Sequence, residues 1–350
     1  MPRALSFCLL AVCAAGCTRP ERSILFSSSR DGIQDVYAMD ADGSNVRRLT
    51  FTKGELGSGH SSMPTWSPTR EVIAFSSDRR LDEPANESKG ENDVFLMNPD
   101  GSGIRRLTHD PASDGQPDFS PDGEKVVFTS LRNGNPEIYT ISWDSKLVQR
   151  LTDWEGWDEF PDWHPDGSRI LFESEGREGF DGLFVMDSNG ENVRHIINGH
   201  RGRWSPDGRR IAFAARDCEV GSSQTGFDRE PLPLSQVRER CQAEGDDTGG
   251  IFVLEMGNRT LEKVFPPPTG SAELLSPDGL SHSTISGGME PVWSPAGDKL
   301  LFHWSRVGPD TEMFKEICCP DVEIFMINVD GSDLQALTWN VQFDGHMRWW

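Results

Sequence analysis

The sequence predicts an all-β fold, a six-bladed β-propeller of four-stranded antiparallel blades whose ring is closed by pairing the C-terminal strand with the N-terminal blade. Three observations carry this reading. An aromatic residue followed by a tight turn recurs five times, each turn runs into an alternating apolar strand, and the final residues repeat the aromatic landmark with no turn after it. Self-similarity of this kind marks a repeat architecture, in which each unit buries its apolar face against its neighbours.

The landmark reads Trp66-Ser67-Pro68, Phe119-Ser120-Pro121-Asp122-Gly123, Trp163-His164-Pro165-Asp166-Gly167, Trp204-Ser205-Pro206-Asp207-Gly208 and Trp293-Ser294-Pro295-Ala296-Gly297. Proline presets φ for the turn and glycine accepts the positive φ that leaves it. The next strand alternates, as in Val72 to Phe75, Val126 to Phe128, Ile170 to Phe172, Ile211 to Phe213 and Leu300 to Phe302, the period of a half-buried strand. A third strand follows at Val36 to Met39, Val94 to Met97, Leu183 to Met186 and Ile324 to Ile327. A polar turn then leads to a short fourth strand ending in Leu49-Thr50, Leu107-Thr108, Leu151-Thr152, Ile196-Ile197, Val264-Phe265 or Leu337-Thr338. Asp40-Ala41-Asp42-Gly43-Ser44 is one such turn; it lacks the Glu at position 12 of a calcium loop, where Phe51 stands, so a hairpin explains it.

Four strands make a blade. The chain enters the repeat at Ile24 on a second strand, and Met347-Arg348-Trp349 supplies the first strand missing there, so six inner strands match six outer ones. With strands a to d counted from the axis outward, the a–b and c–d turns share one plain face. The long connections at 81–92, 217–250, 266–288 and 307–322 all fall on the other face, and loops of that length in a compact domain are functional or disordered.

These motifs resemble the WD-like repeats of the TolB-type β-propeller family over nearly everything from Ile24 to Trp350. The resemblance implies the fold; function does not follow from it, because one fold hosts many functions. No separate N-terminal domain is expected before the propeller, and on that reading the chain departs from TolB itself.

Residues 1–16 read as a signal peptide: Arg3, then an apolar run from Ala4 to Ala15, too short to span a bilayer. Ala14-Ala15-Gly16 before Cys17 resembles the bacterial lipobox, which implies lipidation at Cys17, a tether over 17–23 and a propeller over 24–350. Only about seven residues separate Cys17 from Ile24, a reach of roughly 20–25 Å, so the plain face is expected nearest the membrane. The expected location is exported and lipid-anchored. In a Gram-negative source Thr18, in place of Asp after Cys17, points to the outer membrane, facing the periplasm or the cell surface.

Cys218, Cys241, Cys318 and Cys319 remain for disulfides in that oxidising setting. All three pairings stay open, and no C-x-x-C spacing supports a metal instead. Lys plus Arg total 34 against 56 Asp plus Glu, a formal charge of −22, which excludes a nucleic-acid surface.

Nucleophile-elbow, zinc-helix and Walker motifs are all absent, so no catalytic residue or cofactor is assigned. His60, His200 and His346 each lie a few residues before an inner-strand aromatic, and Asp114, Asp158 and Asp344 occupy comparable places. They are the candidate channel-mouth residues, for a ligand or for a divalent metal. Trp66, Trp163, Trp204 and Trp293 are expected between blades; Trp154, Trp157, Trp304 and Trp339 lie outside the repeat and are free to face a ligand or a blade edge. The expected function is a lipid-anchored, monomeric binding or scaffolding module for an envelope protein, peptide or glycan. The alternative is a metal-dependent carbohydrate lyase or hydrolase, implied by similar propellers that use channel-mouth histidines with a metal.

Overall fold

The computed structural model describes residues 23–51, 59–79, 91–142, 144–220, 249–265, 290–305, 322–338 and 342–349. Cys17, Cys241, Cys318, Cys319 and Trp339 lie outside them, and of Cys218 only the backbone is described, on the short helix α1 (Asp217–Val220). The described strands form six four-stranded antiparallel sheets.

Blade I joins the two ends of the chain, β24 (Asp344–Trp349) lying beside β1 (Ser23–Ser28), β2 (Asp35–Asp40) and β3 (Arg47–Arg48). Blade II is β4 (Ser61–Trp66), β5 (Ile73–Ser77), β6 (Asp93–Met97) and β7 (Arg105–Arg106); blade III is β8 (Asp114–Phe119), β9 (Lys125–Ser130), β10 (Glu137–Ser142) and β11 (Val148–Arg150). Blade IV is β12 (Asp158–Trp163), β13 (Arg169–Arg177), β14 (Phe180–Asp187) and β15 (Arg194–Ile197), and blade V is β16 (His200–Trp204), β17 (Arg210–Arg216), β18 (Gly249–Glu255) and β19 (Leu261–Phe265). Blade VI is β20 (Val292–Trp293), β21 (Lys299–Ser305), β22 (Val322–Asn328) and β23 (Gln335–Ala336).

Ring closure is as expected: Ile24 pairs with Trp349 and Ser28 with Asp344. Pairing the two ends leaves no free inner edge between first and last residues, the position where an open sheet would recruit another strand.

The core sits between blades. Leu25, Val36 and Leu49 of blade I pack on Ile73, Phe75 and Phe95 of blade II, and a comparable cluster fills each of the other five blade boundaries. Trp163, Trp204 and Trp293 are buried, while Trp66 is half-buried against the same interface. Trp304, outside the repeat, turns out to be a blade-edge residue, its ring 5.0 Å from that of Phe265.

One feature departs from simple alternation. Each inner strand from blade I to blade V carries a bulge three residues before its aromatic, where Met63, Gln116, Phe160, Arg201 and His346 adopt positive φ between 49° and 57° and the register slips. A bulge adds one unpaired residue and re-aims its side chain. Its freed N–H needs an acceptor, and the neighbouring blade provides one. Met63 donates to Ser27 Oγ at 3.1 Å, Gln116 to Ser76 Oγ at 3.0 Å, Phe160 to Gln116 Oε1 at 2.8 Å and Arg201 to Glu173 Oε2 at 3.1 Å.

Candidate functional site

The bulges determine what lines the channel. One residue before the inner-strand aromatic in four of the six blades, Asp118, Asp162, Arg203 and Arg348 meet at the axis. Arg203 lies 3.8 Å from Asp162 and Arg348 4.0 Å from Asp118. Each aspartate also accepts from the next blade, Asp118 from Trp163 N at 3.0 Å and Asp162 from Trp204 N at 2.8 Å. Burial pushes the Asp162 carboxyl up to about 6, against the opposing pull of Arg203, and burial brings Arg203 down to about 10. The two aspartates are thus held to the backbone and faced by the two arginines, so the channel floor is a polar plug.

Above the plug, Glu290 stands where the other blades have their bulge residue, and it takes an ion pair from Arg201 at 2.9 Å. Burial works against its charge, but His346 and Arg201 hold its carboxyl down at about 2. The remaining space in this centre is about 20 Å³, room for about one water. The Nδ1 atoms of His303 and His346 are buried there without a protein partner.

The six residues singled out from the sequence occupy four different settings. Asp114, Asp158 and Asp344 are the buried first residues of their inner strands, and each is gripped by an arginine at or just beyond the end of strand b of its own blade. The pairs are Asp114 with Arg132 at 3.0 Å, Asp344 with Arg30 at 2.8 Å, and Asp158 with Arg177. Each guanidinium also lies over an aromatic of that blade, Arg30 5.0 Å from the Phe26 ring and Arg132 4.7 Å from Tyr139. These carboxylates thus hold the inner strand to the b–c connection. His60 is exposed, His346 faces the central space, and His200 lies between blades IV and V. Counted back from the aromatic, the histidines stand six, three and four residues away, so they do not share one height in the ring. Among the described residues no three His, Cys, Asp or Glu side chains converge as a metal-binding group.

His200 instead borders an open pocket of about 310 Å³ at the boundary of blades IV and V, within the range of small-ligand sites. It opens on the face that carries the b–c and d–a connections, because its walls are the start of β12, the end of β13, the start of β14 and the start of β16. Trp157, 56% exposed, stands at its lip. Glu159, Glu173, Glu175 and Asp181 contribute carboxylates, and His200 and Arg201 contribute cations.

Glu159 and Glu173 are directly opposed across β12 and β13, a placement that costs stability for like charges. Glu173 is neutralised: it accepts from His200 Nδ1 at 2.7 Å and from the Arg201 amide. Burial alone would lower His200, but its hydrogen bonds to Glu173 and Glu219 push it up to about 10. For Glu159 burial dominates and raises the carboxyl, with Glu173 and Glu175 adding to the rise and Arg201 opposing it.

The local reason for the pocket lies in the repeat. Blades I, II and III begin strand c with Asp35, Asp93 or Glu137, which accepts from Thr50, Thr108 or Thr152 and pairs with Arg48, Arg106 or Arg150. Blade IV has Gly182 and Ile197 in those places. Gly182 is obligatory there: φ is +135° and a Cβ would sit 2.4 Å from the Ile197 carbonyl oxygen.

Residues 89–221 match the family described as the tricorn protease N-terminal beta propeller domain. A TolB homolog of Chlorobium luteolum is 30% identical over 148 residues, 33% of this chain and 33% of that protein. TolB from Acinetobacter baumannii superposes with a TM-score of 0.64 at 17% identity, covering 93% of this chain and 66% of that one. This chain is a TolB-like β-propeller. The matched stretch spans about a third of the length of the curated TolB relative. The same propeller is also similar to an oligogalacturonate lyase of Vibrio parahaemolyticus, with a TM-score of 0.51 at 15% identity over 90% of this chain and 75% of that one, a likeness of fold alone.

Of the TolB-like propeller's pocket residues, Trp157 and His200 were visible as candidates in the sequence. Glu159, Glu173, Glu175, Asp181 and Arg201 were not. A signal for the bulges did exist: Pro64, Pro117, Pro161 and Pro291 stand two residues before the aromatic in four units, and proline inside a strand marks a bulge or an edge.

Proposed function

We propose that this TolB-like propeller is a binding module of the cell envelope that presents its b–c and d–a face to a protein or peptide partner. The observation that carries the reading is the division of polar residues. Around the channel the carboxylates of Asp118, Asp162 and Glu290 are engaged across blades, whereas the pocket between blades IV and V keeps carboxylates and an exposed tryptophan open on that one face. Relatives named as Tol-Pal system protein TolB, 49% identical over 37 residues in Bordetella pertussis, support an envelope protein as partner. Lipidation at Cys17 would tether the propeller with its plain face toward the membrane and leave the pocket face outward.

A photoreactive residue at position 157, compared with one at Asp122 in an a–b turn of the plain face, tests this in intact cells. Crosslinking to a discrete partner is expected from 157 and not from 122. The reverse pattern would sink the reading.

A further inference from the structure

We propose that the pocket between blades IV and V is a socket for a basic side chain of the partner, with its cation held by Glu159, Glu175 and Asp181 and its flat or apolar part on the indole of Trp157. This rests on the binding role proposed above and adds the chemistry that is recognised.

The first argument is the state of the charges. Both cations of the pocket are already engaged, His200 by Glu173 at 2.7 Å and Arg201 by Glu290 at 2.9 Å. Glu173 uses both its oxygens on His200 and on the Arg201 amide. Glu159 receives only a 3.5 Å contact from Gln116 Nε2. One oxygen of Asp181 accepts from the Gly176 amide, and Glu175 forms no ion pair among the described residues. Glu159 is therefore a half-buried carboxylate without an ion pair among the described residues, where it attracts a cation more strongly than it would in water, and Glu175 stands exposed beside it at the rim.

The second argument is the position of the charges. Among the described residues the directly opposed Glu159 and Glu173 occur in one blade: the corresponding pairs are Gly345 with Ser27, Ser62 with Ser76, Gly115 with Thr129, and, in blade V, His200 with Ala214. Glu173 serves the ring by accepting the Arg201 bulge amide, but Glu159 opposite it has, among the described residues, only the Gln116 contact, and a carboxylate placed there without a structural task marks a site kept for function. The third argument is the aromatic. An indole face left 56% exposed beside carboxylates suits a guanidinium, which stacks and accepts bidentate hydrogen bonding, better than an ammonium. The neighbouring Arg177, 4.9 Å over the Trp154 ring, shows the same pairing within the chain.

Ligand-observed NMR on the intact protein, with Nα-acetylarginine amide and its neutral isostere Nα-acetylcitrulline amide as probes, tests the socket. The arginine probe is expected to bind about tenfold more tightly than the citrulline one, and Glu159→Gln, Glu175→Gln or Trp157→Ala should each weaken it several-fold. Equal binding of the two probes, indifference to all three substitutions, or occupancy by neutral N-acetylglucosamine in place of arginine overturns the proposal. Crosslinking from position 157 is a separate readout. Its failure, with probe binding intact, would remove the protein partner and leave the socket.

Discussion

Blades I to III and blades IV and V share one backbone and differ in how they close their outer edge. In the first group a buried acid at the start of strand c, a threonine at the end of strand d and an arginine form a clamp. Glu137 shows the pattern in full, accepting from Thr152, from the Trp154 amide at 2.7 Å and from Arg150 at 3.1 Å. In the second group glycine replaces the acid, at Gly182 and Gly250, and the threonine gives way to Ile197 and Phe265. The clamp is therefore one way to hold a blade and not a requirement of the fold. Where it is absent, close backbone approach and apolar burial take over, and the boundary beside blade IV carries the pocket.

That comparison can be broken most severely at the ring closure, which both groups depend on. Deleting 344–350 removes β24 and exposes the β1 edge and the cluster around Ile24, Phe26 and Met347. We expect loss of the cooperative thermal transition in circular dichroism, and an unchanged Tm would contradict the closure. Glu137→Ala should come next, at about 3–5 kcal/mol, because it leaves Arg150 and several buried donors without their acceptor; equilibrium urea unfolding reads this directly. Gly182→Ala should cost about 2–3 kcal/mol from positive φ and the close Ile197 carbonyl. A similar cost for Gly32→Ala, where φ is +95° but nothing lies within 4 Å, would show that backbone conformation and not close approach is responsible.

The smallest expected effect concerns His200. With its imidazole pushed up to about 10 from a usual 6.5, the group binds its proton more tightly folded than unfolded. The stability it adds is fully present below about pH 6.5 and is lost as pH rises toward 10. Its side chain is 46% exposed, so solvent screening keeps the effect small. His200→Gln should flatten the alkaline side of a Tm-against-pH profile; an unchanged slope between pH 7 and 10 would show that Glu173 and Glu219 do not hold the proton there.

Legibility follows the same division. The turn after Phe119, the alternation of Val126 to Phe128 and the ending Leu151-Thr152 recur because every blade solves one packing problem, and a repeated solution is visible as a repeated string. Asp114, Asp158 and Asp344 were equally visible, but their recurrence reflects the recurring grip of Arg132, Arg177 and Arg30. The same string could not separate a structural carboxylate from a ligand. His60, His200 and His346 looked alike by rough distance from an aromatic, yet a one-residue offset moves a side chain to the other face of a strand and a two-residue offset moves it along the same face.

Blade count, ring closure and the face bearing the long connections were properties of the sequence alone, since periodic burial and tight turns are local and leave a local record. Which charges remain free was decided only by the tertiary structure. Glu173 is satisfied by His200 and an amide 27 and 28 residues away, while Glu159 and Glu175 are left open. Pairing across blades depends on bulge geometry and on which neighbour comes within reach, and neither is recorded in the order of residues along one strand.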